Sequence, residues 1–176
     1  PLSIIEERSV GPGLGADSIS SGKIASIIGM ICVCIFMIIV YGIFGFLANI
    51  SLIANLFIII SLLSLIGATL TLPGIAGIVL TIGMAVDANV LVFERIKEEL
   101  NKNNKFIVSV KNGFQRAIST ILDANITTLI AALLLFVFGS GPIKGFSITL
   151  SLGVLASMFT AIMLTNFLIH LWFSIT

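Results

Sequence analysis

Two short segments place groups able to do chemistry inside otherwise inert stretches of this chain. The tripeptide Asp-Ala-Asn occurs at Asp87–Asn89 and again at Asp123–Asn125, each in an apolar run long enough to cross a bilayer. An ionised carboxylate at membrane depth costs about 2.5–3.5 kcal/mol on insertion scales, so it is seldom placed there without a task. Low dielectric favours the protonated form of a carboxyl and a nearby cation favours the ionised form, so a carboxyl that alternates between such surroundings carries a proton. Each charge moved is worth about 2.3 kcal/mol per 100 mV of membrane potential. Asp87 is therefore the first candidate for a proton pathway, with an interhelix hydrogen bond as its structural alternative. For Asp123 two readings stand, a second group of that pathway or a polar anchor near the membrane interface. Asn89 and Asn125 are expected to bond across helices, because lipid offers their amides no partner.

The elements that must hold these groups are apolar helices. Hydrophobic residues make up 58% of the 176 residues and charged residues 10%, against about 25% charged in a soluble domain. The chain reads as an all-α, polytopic membrane helix bundle, with about five spans at 24–46, 50–70, 73–93, 119–139 and 146–173. A break at Leu47–Asn49 separates the first two, with Tyr41, Gly42 and Gly45 marking the turn. Pro73 suits the first turn of the third, where its missing N–H leaves nothing unpaired. Residues 1–22 are polar and glycine-rich and read as the end of an extracytoplasmic domain followed by a hinge, with Asp17 or Ser18 capping a short helix. The opening LSIIEERSV reads as a strand, so the chain is expected to be part of a longer protein.

Charge orients the bundle. Six of the nine basic residues, Arg95, Lys97, Lys102, Lys105, Lys111 and Arg116, fall between Phe93 and Ser119. The positive-inside rule makes that segment cytoplasmic, which puts the amino end of the chain outside and the carboxy end inside. Glu94, Glu98 and Glu99 interleave with the cations, which argues against a nucleic-acid surface. Phe106, Ile107, Val110, Phe114, Ala117 and Ile118 recur at near-helical spacing, so residues 94–118 are expected to lie at the membrane surface as an amphipathic segment. Asp87 lies seven residues before Glu94 and Asp123 about five residues into the next span, so both sit on the order of 10 Å below that surface. Apart from Lys23 at one edge the spans hold no Lys or Arg, so a cation for Asp87 would come from another subunit. His170 and Trp172 fall at the inner interface, where amphipathic rings are favoured. Cys32 and Cys34 point to different helix faces, and no metal-ligand set or cofactor motif is present.

Small residues mark expected close contacts. Gly83 lies one turn before Asp87, Gly74 and Gly77 open the same helix, and Gly153, Ser157 and Ala161 form a stripe on the last one. Such a stripe means packing, or, beside an ionisable group, room for helices to slide or for water to enter.

Three ordered segments carry a family resemblance: VGPGLGADSI, then LPGIAGIVLTIGMAVDANVLVFERIKEEL, then ILDANITTLIAALLLFVFGSGPIKGFSITLSLGVLASMFTA. Together they resemble the carboxy-terminal membrane part of the SecD family, from about Ile5 to Thr165. The resemblance implies a half bundle of the resistance-nodulation-division type in the bacterial cytoplasmic membrane, with a first helix and a large extracytoplasmic domain upstream. It implies partnership with SecF, the SecYEG channel and YajC, an unfolded preprotein as substrate, and use of the proton-motive force. Asp87 matches the family's intramembrane aspartate and Asp123 the acid of its second Asp-Ala-Asn segment. Gly11, Pro12, Leu14 and Gly15 match its GPxLG hinge, with Gly13 at the variable position.

Two competing readings fare worse. Another exporter of that superfamily would share the bundle but not the GPxLG and DAN-VLVFERIKEEL text. An intramembrane aspartyl protease also uses two aspartates on adjacent spans, but its Tyr-Asp and Gly-Leu-Gly-Asp settings surround neither acid here. The expectation is a transport subunit, not an enzyme, in which protonation of Asp87 changes helix packing and the hinge passes that change outward. Proton and sodium coupling both fit the sequence.

Overall fold

In hydrocarbon every backbone N–H and C=O must find its partner inside the segment that carries it, and apolar chain therefore folds as helix. The computed structural model describes residues 12–68, 71–102 and 105–175 and is helical in nearly all of them. The elements are α1 (Pro12–Tyr41), α2 (Ile43–Ile66), α3 (Leu72–Leu100), α4 (Phe106–Phe138), α5 (Pro142–Phe159), a π-helical turn (Thr160–Leu164) and α6 (Thr165–Ile175). The last three run on as one interrupted rod, so the described residues hold five helices long and apolar enough to span a membrane. The expected five-helix bundle is what forms.

The ends of these helices differ from the sequence reading in instructive ways. Helix α1 opens on Pro12, so Pro12, Leu14 and Gly15 of the expected hinge belong to its first turns, and Asp17 and Ser18 lie inside it instead of capping it. Proline suits an opening turn because that turn has no use for its amide hydrogen. Gly11, the expected strand at residues 2–10, and Asn103 and Asn104 of the polar segment lie outside the described residues. The α1–α2 turn is a single residue, Gly42, at φ 56°, a left-handed backbone that glycine adopts without steric cost. The break expected at Leu47–Asn49 does not occur, and all three residues are buried within α2. Asn49 explains this: its Nδ2 donates to the Cys34 carbonyl of α1 at 3.0 Å, so the amide is a helix contact and not a punctuation mark. Helix α2 ends at Gly67, where Ala68 N–H returns to Leu63 O and Gly67 N–H to Ser64 O, both at 3.1 Å. Helix α3 begins at Thr71, whose hydroxyl accepts the Gly74 N–H at 3.2 Å.

Helices α3 and α4, with 29 and 33 residues, run about 44 and 50 Å, well beyond a hydrocarbon core of about 30 Å. Their surplus is the basic segment. It is built as the projecting ends of these two helices and not as a separate surface helix, because its apolar face has a protein partner. Val110, Phe114 and Ala117 are buried together with Phe93 and Ile96, and Gly113 lies so close to Ile96 that a Cβ there would stand 2.8 Å from the Ile96 backbone. Tyr41 and Phe44 close over Phe93 with ring centroids 5.6 and 5.5 Å away, and Phe106 stacks on Phe44 at 6.3 Å. Glu99, almost fully buried, bonds Lys102 at 2.7 Å and pairs with Arg116 of α4 at 3.2 Å, which ties the two ends together.

Helix α3 is the axis of the bundle, and its contact with α5 is interlocked. A Cβ on Gly145 would stand 2.7 Å from Thr71 Oγ1, one on Gly77 would run into Thr149, and one on Gly153 would run into Thr81. Threonines and glycines thus alternate between the two helices, each threonine filling the notch that a glycine leaves. Such small-residue notches let backbones approach where no hydrophobic effect drives helices together. Gly153→Ala is expected to destabilise the bundle by about 1–3 kcal/mol through overpacking. Gly29→Ala, where an added Cβ meets nothing within 4 Å, should be neutral or mildly stabilising; equal thermal unfolding midpoints for the two variants in detergent would refute the interlock.

Candidate functional site

On α3 the residues of the first tripeptide part company. Ala88 and Asn89 are buried in the bundle, whereas Asp87 is exposed on its flank. Gly83, one turn earlier on the same face, is exposed as well, and a Cβ there would meet nothing within 4 Å. Gly83 is therefore not the close-packing residue expected from the sequence: it shares the open face of Asp87 because residues four apart on a helix lie one above the other. Asp87 overlooks a cavity of about 180 Å³ between α3 and α4, shared with Ala88 from its own helix and with Thr120, Ala124 and Asn125 from the other. The two Asp-Ala-Asn segments therefore lie at one level, as the count from the basic segment predicts.

Their acids do not meet. Asp123 stands two residues, or about 200° of helix rotation, from the buried Asn125, is exposed, and takes no part in lining the cavity. Nor does an ion pair reach Asp87 among the described residues: the pairs formed are those of the basic segment, Arg95–Glu98 at 2.8 Å and the Glu94 and Glu99 contacts.

The amides diverge too. Asn89 crosses between helices: its Oδ1 accepts from Thr165 Oγ1 at 2.9 Å. The same Thr165 hydroxyl lies 2.9 Å from Ser51 Oγ of α2 and 3.1 Å from the Thr160 carbonyl. A hydroxyl has one proton, so Ser51 donates to Thr165, and the single Thr165 proton is shared between Asn89 Oδ1 and the Thr160 carbonyl. Asn125 departs from expectation, because its Nδ2 turns back to the Ile121 carbonyl of its own helix at 2.8 Å. That bond is available within one turn, whereas the α3 residues that share a cavity with Asn125 are Met84, Ala88 and Leu91, all apolar, and the exposed Asp87.

Thr165 reaches this position through the π turn. In the five residues Thr160–Leu164 the rod carries one extra residue, and the Thr165 N–H bonds the Thr160 carbonyl five positions back. Thr160, Thr165 and Ser51 are all at most 2% exposed. Beside them on α2, one turn from Ser51, Asn55 is wholly buried and neither of its side-chain polar atoms has a partner among the described residues. Gly153 and Ser157 lie on the α5 face against the core, with the Ser157 hydroxyl spent on Val154 O at 2.9 Å. The sequence reading missed Ser51, Asn55, Thr160, Thr165 and the burial of Glu99. A signal existed for α2, where Asn49, Ser51 and Asn55 recur in an apolar helix; the π turn has none.

Residues 2–174 match the family model described as protein export membrane protein SecD/SecF, C-terminal. The chain is 61% identical over 172 residues to "Protein translocase subunit SecD" of Rickettsia prowazekii, covering 98% of this chain and 33% of that protein. It is 48% identical over 176 residues to the protein of the same name from Acetobacter pasteurianus, covering 100% of this chain and 34% of that one. The chain thus spans about a third of the length of the curated relatives it matches. In three dimensions it is similar to the crystal structure of SecDF, a translocon-associated membrane protein from Thermus thermophilus, with a TM-score of 0.90 and 43% identity over 93% of this chain and 23% of that one.

Thr165→Val keeps the shape of the side chain but strands Asn89 Oδ1 and Ser51 Oγ in the core, where each unsatisfied group costs about 1–3 kcal/mol. The variant is expected to lose stability of that order in thermal or denaturant unfolding, and Thr165→Ser, which keeps the hydroxyl, should lose much less. Indistinguishable Val and Ser variants would show that the node does not hold the bundle.

Proposed function

The chain belongs to the SecD/SecF family of protein export membrane proteins, and from that premise we propose that it is the membrane-embedded part of a SecD-type translocase subunit in which Asp87 couples proton passage to protein export. The observation that carries this reading is the placement of Asp87: an ionisable group at membrane depth, on an open face, with no cation of its own among the described residues. A carboxylate facing lipid is costly, so the flank of α3 is read as an interface. A second membrane subunit, SecF in this family, supplies the cation and closes the Asp87 cavity into a proton path. The basic ends of α3 and α4 face the cytoplasm, which puts the cavity about 10 Å from the cytoplasmic surface.

In this mechanism protonation of Asp87 releases the partner's cation, and deprotonation recaptures it. Ala88 and Asn89 are fixed in the core, so the change is felt as a shift of the partner along the open flank, not as a rotation of α3. Residues 12–15 of the GPxLG segment, which open α1, carry the movement to an external domain that holds the emerging preprotein, with SecYEG as the channel and YajC as an accessory. Asp123, on the far face of α4, is left to anchor its helix or to meet a different neighbour.

Asp87→Asn in the full-length protein should leave the complex assembled and abolish the part of export that responds to a proton gradient, while Asp123→Asn should retain most of it. Export in membrane vesicles with and without imposed proton and sodium gradients measures both. Wild-type export by Asp87→Asn, or stimulation by sodium alone, contradicts the proton assignment. Gly83→Cys is expected to form oxidative crosslinks with a cysteine on a partner span, and failure with every partner position would refute the interface.

A further inference from the structure

Asn55 on α2 is 0% exposed, so water does not reach its amide, and neither Oδ1 nor Nδ2 has a partner among the described residues. A buried group left in that state is costly, and its relief lies one helical turn away. Ser51, four residues earlier on the same helix, meets Thr165 beside Asn89. An amide in that place would find the Thr165 hydroxyl, which both donates and accepts. Serine does not depend on the place: Ser26, Ser61 and Ser151 return their protons to the carbonyl four residues back in their own helices.

The face of α2 permits the exchange. Leu47, Ser51, Asn55, Ile59 and Leu63 are all buried and recur every four residues, as a single ridge. A slide of one turn, about 6 Å, reseats each of them in the place its neighbour leaves, with Leu63 replacing Ile59 and Asn55 replacing Ser51. Helix α1 moves with α2, because the two are joined closely. Their turn is the single residue Gly42, a Cβ on Gly45 would run into the Met37 backbone, and Asn49 holds the Cys34 carbonyl.

There is room in the required direction. Bringing Asn55 level with Thr165 carries α2 toward the basic segment. A cavity of about 220 Å³ lies there, lined by Tyr41 and Phe44 and, on α3, by Phe93 and the next turns with Ile96, Lys97 and Leu100. Phe44 now rests on Phe93 and Phe106, and the slide takes its ring along α3 into that cavity. The aromatic seat favours the observed register, and the orphaned amide favours the other.

We propose that the α1–α2 hairpin has a second register on the rest of the bundle, one turn nearer the basic segment, in which Asn55 replaces Ser51 as the partner of Thr165. Thr165 stays joined to α2 in both registers, and the Pro12 end of α1 moves by the length of the slide. The second register does not rest on Asp87 as a proton carrier, and it is read by a distance and not by export.

Double electron–electron resonance on the full-length protein, freed of other cysteines and spin-labelled at Leu65→Cys and Lys111→Cys, tests the proposal. Leu65 is exposed near the far end of α2 and Lys111 is exposed on the projecting end of α4, so the slide shortens their separation by about 6 Å. Phe44→Ala removes the aromatic seat and should raise the share of the shorter distance about tenfold, the scale of two ring contacts. Phe106→Ala serves if that variant elutes as aggregate. Adding Asn55→Leu to either should restore the longer distance. An unshortened distance in a monodisperse seat variant overturns the second register, and a shorter distance that persists with Asn55→Leu overturns the role of Asn55.

Discussion

A polar group inside hydrocarbon has only the protein to bond to, and in this bundle that constraint converges on one hydroxyl. Thr165 joins α2 through Ser51 and α3 through Asn89, and the Thr160 carbonyl within its own rod, at 2.9–3.1 Å. Three helices are thereby fixed at one level, in the half of the bundle nearer the basic segment. The π turn is the local concession that makes this possible. An uninterrupted α-helix from Pro142 onward would carry Thr165 about 100° further round, away from Asn89. The extra residue corrects the phase and gives the displaced backbone a partner in the Thr160 carbonyl.

The fixed amide decides where the neighbouring acid points. With Asn89 bonded inward, Asp87, two residues earlier, has to lie some 200° round the helix and so cannot enter the same core. The second tripeptide obeys the same rule: Asn125 is inward and Asp123 outward. One sequence pattern thus holds an amide in protein and displays a carboxylate on the outside, twice. Besides the partner of the amide, the two cases differ in what stands beside the display. Asp87 borders the cavity between α3 and α4, while Asp123 lies on the far side of α4.

Much of this was legible from the residues alone. Hydropathy located five helices, and the count from the basic segment set both tripeptides at one depth, because rise per residue is nearly constant in a helix. What failed were inferences about faces and ends. Gly83 looked like a packing residue because glycine beside an acid suggests close approach, yet helical phase puts it on the uncovered flank. Leu47–Asn49 looked like a break because Asn is a turn former in water, whereas in lipid its amide seeks the Cys34 carbonyl. The amphipathic segment looked like a surface helix because periodicity identifies an apolar face and not what covers it; the projecting end of α3 does. The π turn and Thr165 were invisible, since an insertion of one residue leaves composition and hydropathy unchanged.

The alternation of threonine and glycine between α3 and α5 also sets how force can pass through the molecule. A slip along the shared axis drives a threonine methyl into a backbone that no longer has a notch: one step of four residues, about 6 Å, sets threonine against threonine, and threonine meets glycine again only after two such steps, about 12 Å. The contact therefore behaves as a toothed rack and not as a greased rod. A pull on the outer end of α3 reaches α5, and through the rod the π turn and α6, without loss of stroke. The two helices form a single stiff strut, and movement in the bundle is left to the elements that have no teeth against it.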